Sequence, residues 1–167
     1  MKPFLPLCSA FVALAALLLP AAPAWAQQPD EAALQKPVRA WVDAFNRWDF
    51  AYPQDAFEED AVVIDQFPPF LWQGNASARQ WWTALMGETM AEHERRSISK
   101  QRLELGPMQF VQSDGLTANF VQPATLTWTA KGQSHEMKAL WVATERKAGS
   151  SWRISSHAWA PLGETVK

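Results

Sequence analysis

The sequence predicts an α+β fold in which helices come first and a strongly bent, mostly antiparallel sheet wraps them as a cone. Three observations predict it. Apolar residues recur at helical spacing in two segments before residue 90. From Ile98 onward the period changes to alternation, and the turn signals "LGPM", "SDG", "AKGQ" and "KAGSS" divide the remainder into strands. No internal repeat, low-complexity run or second composition class interrupts residues 27–167, which are therefore one domain.

Residues 1–26 read as a cleaved signal peptide. Lys2 gives a positive start, "FVALAALLLP" an apolar run, and "AWA" at Ala24 to Ala26 a small-x-small cleavage site. The apolar run falls short of the roughly 20 residues a membrane span needs. The mature chain is expected to begin at Gln27, to be periplasmic or secreted, and to have no membrane attachment after cleavage. The single cysteine, Cys8, precedes the apolar run and leaves with it. The mature chain thus has no disulfide or thiol nucleophile, and about 140 residues must hold together through their core alone.

Within the domain, "EAALQKPVRAWVDAFNRWDF" sets Leu34, Val38, Trp41, Val42 and Phe45 on one helical stripe from about Glu31 to Arg47, with Pro37 either starting or kinking it. "YPQDAF" suggests a short second helix and "AVVID" a strand. "GNASARQWWTALMGETM" reads as another helix, capped by Asn75 or Ser77, with Trp81 or Trp82, Leu85 and Met86 inward. "HERRSISKQR" mixes charge signs and reads as the solvated start of a strand. In the following strands Leu116, Ala118, Phe120, Ala124, Leu126 and Trp128 share one face, and Met137, Ala139, Trp141 and Ala143 another inward set. Regular alternation in "WRISSHAWA" turns Trp152, Ile154, Ser156 and Ala158 inward and puts His157 and Trp159 on the outer face.

The formal charge of −2 and the absence of a basic run argue against nucleic acid and anionic membranes as partners. His93, His135 and His157 show no ligand spacing, so no metal site is expected, and no phosphate loop or dinucleotide fingerprint calls for a cofactor. The unusual number is ten tryptophans against one tyrosine. Such rings fill a core or line an apolar ligand pocket.

The order of helix, "AFNRWDF", "FEEDAVVID", loop, helix and long strands ending "WRISSHAWA" resembles the nuclear-transport-factor-2-like superfamily, which includes the SnoaL-like and ketosteroid-isomerase-like proteins. The segments "DQFPPFLWQG", "ARQWW" and "PATLTW" resemble a bacterial SnoaL-like subgroup of undefined role. The resemblance implies a cystatin-like α+β barrel and, commonly, a homodimer packed through the outer sheet face. It also implies that Asp65, at the end of the first strand, occupies the position of a general base. The steroid-isomerase oxyanion donors are replaced here by Trp41 and Trp141, and an indole is a much weaker acid than a phenol.

Three functions fit these residues. The first is an exported binding protein for a small apolar ligand, with Trp41, Phe45, Phe70, Trp82 and Trp141 lining a pocket and Asp65 and Ser156 as polar contacts. The second is a lyase or isomerase using Asp65 as base with an unidentified donor. The third is a structural dimer with a tryptophan-filled cone. Asp65 is expected to face inward with Val63, opposite Val62 and Ile64, under the loop "QFPPFLW".

Overall fold

A carboxylate starts the first helix. In the computed structural model, which describes residues 30–166, Asp30 accepts hydrogen bonds from the backbone N–H groups of Ala32 and Ala33 and caps α1 (Glu31–Asn46). The signal-peptide reading lies outside the described residues. Leu34, Val38, Trp41 and Phe45 form the buried stripe of α1, and the helix runs through Pro37 rather than starting there. Its end is pinned by Asn46, whose Nδ2 donates to the Leu103 carbonyl while its Oδ1 accepts from the Leu103 N–H, each at 2.8 Å.

"YPQDAF" forms no helix. The Ala56 N–H donates to the Pro53 carbonyl in a tight turn, and the Ala56 carbonyl accepts from Ile154, which commits the chain to a strand at once. That strand is β1 (Phe57–Ile64), followed by the short β2 (Leu71–Trp72). Helix α2 (Ser77–Arg96) begins at Ala76 in the left-handed conformation with no side-chain cap. Ser77 instead donates its hydroxyl to the Ala61 carbonyl at 2.8 Å, so neither Asn75 nor Ser77 caps the helix. The helix also runs past Met90. Glu92 pairs with Arg95 at 2.6 Å and with Arg96 at 3.1 Å, so the mixed charges of "HERR" are a solvated helical face and not a strand start.

Five strands complete the chain: β3 (Ile98–Leu105), β4 (Gln109–Ser113), β5 (Thr117–Ala130), β6 (Gln133–Ala148) and β7 (Ser151–Val166). The sheet order is β2-β1-β7-β6-β5-β3, with β4 also on β5, and only the β1–β7 pair is parallel. Strands β3 and β4 lie end to end along one edge of β5, separated at "GPM". Both helices pack on the concave face, and the core between them includes Phe57, Trp81, Trp82, Phe120 and Trp141. Each such ring removes about 200 Å² from water.

One irregularity decides which side chains enter that core. Across the β6–β7 pair, Glu145 faces Ile154 but Thr144 faces Ser156, so Ser155 is an extra residue on β7. Its hydroxyl donates to the Thr144 carbonyl at 3.1 Å. Trp152 and Ile154 face inward before the bulge, as alternation predicts. Beyond it the parity is reversed, so His157 is buried and Trp159 turns inward, while Ser156 is carried to the other face.

Candidate functional site

The end of β1 delivers the carboxylate. Alternation buries Ala61, Val63 and Asp65 and leaves Val62 and Ile64 exposed on the opposite face. Asp65 Oδ2 accepts from Trp81 Nε1 at 2.7 Å, and Oδ1 accepts from the Gln66 N–H at 2.7 Å. Burial nevertheless outweighs both hydrogen bonds and raises the Asp65 pKa above the usual carboxylate value. Among the described residues no ion pair involves this carboxyl.

Strand β7 delivers the second group. Trp141 Nε1 donates to His157 Nδ1 at 3.0 Å, and the His157 ring lies edge-on to Trp81 at 4.6 Å. Burial pushes the His157 pKa down to about 3, so the ring is neutral at physiological pH. His157 Nε2 and Trp41 Nε1 are both buried without a protein hydrogen-bond partner. The Trp41 and His157 rings lie nearly parallel, 6.3 Å apart.

These groups border a cavity of about 110 Å³ between the helices and the sheet. Trp41 and Phe45 line it from α1, Trp81, Leu85 and Thr89 from α2, and Trp141, His157 and Trp159 from the sheet. Phe67 covers one side, and beyond it lies an outer groove of about 270 Å³ that shares Gln66, Phe67, Leu85 and Gln101 with the cavity. A larger groove of about 530 Å³ runs between α1 and the β3–β4 turn, but Glu31, Arg39 and Asp43, the charged residues along it, are all exposed.

Of the side chains named from sequence, Trp41, Phe45, Asp65 and Trp141 meet at this cavity, and Phe70, Trp82 and Ser156 do not. Phe70 is 56 % exposed, because its carbonyl accepts from Asp65 N–H and its N–H donates to Phe67. That turn directs Phe67 inward in its place. Trp82 is fully buried behind Trp81, in core rather than cavity. Trp141 uses its indole N–H to hold His157. The residue that sequence reasoning placed wrongly, His157, carried no local sign of its inward position, since the bulge depends on pairing with β6.

The arrangement sets a carboxyl of raised pKa and two residues with unpartnered N–H donors around one largely aromatic hollow. Such a set can hold a ligand, or take a proton from it while donating to developing negative charge. His135 stands apart from it against Glu164, and His93 meets it only through the lining residue Gln101. Among the described residues no three histidine, cysteine or acidic side chains come together as a metal site.

No protein-family model and no curated protein matches the sequence. Solved structures do match the fold. A crystal structure of hexachlorocyclohexane dehydrochlorinase LinA type 2 superposes with a TM-score of 0.63 at 11% identity, covering 82% of this chain and 88% of the other. A putative aromatic ring hydroxylase from Novosphingobium aromaticivorans gives 0.65 at 19% identity, covering 84% and 96%. A protein from the same organism, described as nuclear-transport-factor-2-like with a cystatin-like fold, gives 0.62 at 18% identity over 80% and 82%. Two helices cradled in a curled seven-stranded sheet, with the cavity between them, are thus the nuclear-transport-factor-2-like fold, and this chain has it.

Proposed function

We propose that this chain is an exported binding protein whose small, mostly apolar ligand occupies the cavity between α1, α2 and the sheet. The observation that carries the reading is the pair of buried N–H groups, His157 Nε2 and Trp41 Nε1, left without partners beside a buried carboxyl. A buried polar group without a hydrogen bond costs about 1–3 kcal/mol, which a ligand would recover. A cavity of about 110 Å³ suits a compact head group, since one of about 150 Å³ accepts benzene. A longer ligand would extend past Phe67 into the outer groove.

Titration of compact ligands, followed by tryptophan fluorescence and by thermal shift, tests this reading. Saturable quenching with a rise in melting temperature is expected. A full panel of compact neutral, anionic and cationic molecules that changes neither signal would end it. Export is tested separately by N-terminal sequencing of the chain from its native host, with Gln27 expected first.

A second reading, proton transfer by Asp65 in a lyase or isomerase, is favoured by one specific observation. Asp65 and His157 line the same hollow, and His157 Nε2 has no protein partner, so a donor of the kind the sequence left unidentified is carried by a ring of the same site. A dehydrochlorinase among the structural neighbours is compatible with it. Asp65→Asn would abolish such turnover and only weaken ligand binding.

A further inference from the structure

We propose that the ligand is recognised through a neutral, carbonyl-type oxygen that accepts a hydrogen bond from His157 Nε2–H, with Trp141 as the positioning residue that fixes the imidazole tautomer. The inference rests on the binding reading above and names its ligand class.

The tautomer follows from donor chemistry. An indole nitrogen donates and never accepts, so the 3.0 Å contact from Trp141 Nε1 requires a lone pair on His157 Nδ1. In a neutral imidazole the proton then sits on Nε2. His157 is 4 % exposed, and its Nε2 has no protein partner. A protonated, buried, unpartnered nitrogen in a ring that lines the cavity calls for an acceptor. Trp41 Nε1–H repeats the same demand from α1.

The surroundings narrow the class of that acceptor. A cation would meet the positive ends of two N–H groups. An anion would meet the Asp65 carboxyl, and no lysine or arginine lines the cavity to compensate it. Burying an uncompensated charge is far more costly than burying a neutral dipole. A hydrocarbon would leave both donors unpaired. A ketone, ester or amide oxygen can accept from His157 Nε2–H without adding charge, and its apolar remainder packs against the rings.

Two measurements on the full-length mature chain test this. First, long-range ¹H–¹⁵N NMR of the histidine side chains should show His157 protonated at Nε2 and bare at Nδ1, and Trp141→Phe should release that preference into a tautomeric mixture. The opposite tautomer in the parent chain overturns the proposal whatever the variant does. Second, binding is compared for three shape-matched probes: cyclohexanone, methylenecyclohexane and cyclohexylammonium. Cyclohexanone is expected to bind at least about tenfold more tightly than the alkene, the ratio that about 1.4 kcal/mol of hydrogen bonding gives, and to shift the His157 Nε2–H signal. If the alkene equals the ketone, or the ammonium exceeds it, the acceptor proposal fails while the binding reading survives. If no probe binds, the acceptor proposal fails, and the binding reading is decided by the full panel above.

Discussion

Glu145 is fully buried, and neither carboxylate oxygen has a hydrogen-bond partner. Burial alone raises its pKa from 4.5 to about 8, so it is protonated in the folded chain at neutral pH. The sign of the linkage is definite. A folded pKa above the unfolded value means its contribution to stability is complete below about 4.5 and is lost as pH rises through about 8. Glu145→Gln keeps the shape and removes the titration. Its stability relative to the parent is expected to rise across that window, by up to about 1.4 kcal/mol per pH unit. Urea unfolding at a series of pH values reads this directly, and identical pH profiles for the two chains would contradict it.

At the scale of elements, most helix and strand identities were written in local periodicity, apart from the absent helix at "YPQDAF" and the helical "HERR", while two features that build the site were not. The stripe of α1, the burial of Asp65 and the inward set of β5 follow from spacing that each segment carries within itself, except Leu116, which belongs to the turn before β5 and is exposed. The Ser155 bulge does not, because it exists only in the register of β7 against β6. One extra residue there reverses His157, Ser156 and Trp159 together. The turn that sends Phe67 inward and Phe70 outward is likewise set by backbone hydrogen bonds to Asp65 and Phe67, which composition leaves open. The choice between Trp81 and Trp82 was a matter of helical phase, settled by docking of α2 on β1 through Ser77. The joint that sets Trp41 and Phe45 against the sheet is Asn46. Replacing it with alanine removes both hydrogen bonds to Leu103 and leaves that backbone unpaired, for an expected loss of about 2 kcal/mol. Equilibrium denaturation measures the loss, and an unchanged midpoint would show that α1 is held by its apolar stripe alone.

For the whole molecule the buried groups combine into one pH profile. The folded pKa of His157, lowered from 6.5 to about 3, means its contribution is full above about 6.5 and is lost as pH falls through about 3. Glu145 acts in the opposite direction, from 4.5 up to about 8, and Asp65, whose pKa is also raised, adds to the loss at rising pH. Melting temperature should therefore peak in mildly acidic solution, between about pH 4.5 and 6.5, and a maximum above pH 8 would contradict the assignment of these groups. The outer sheet face makes its own demand. Ile64, Ala158, Val142 and Val121 stand in one row across β1, β7, β6 and β5, with Ile64 50% and Val142 42% exposed. We propose that this row is covered by a second copy of the chain, and light scattering is expected to give twice the chain mass. His157 and Trp159 take no part in that face.

The central claim is that the β7 bulge turns His157 into the aromatic cavity beside Asp65, where its imidazole is held neutral. An NMR pH titration of the His157 ring tests it most directly. The ring is expected to show no protonation between pH 8 and pH 5, in keeping with a pKa pushed down to about 3. A midpoint near the ordinary value of about 6.5 would place His157 in solvent on the outer face, and the site would not exist as described.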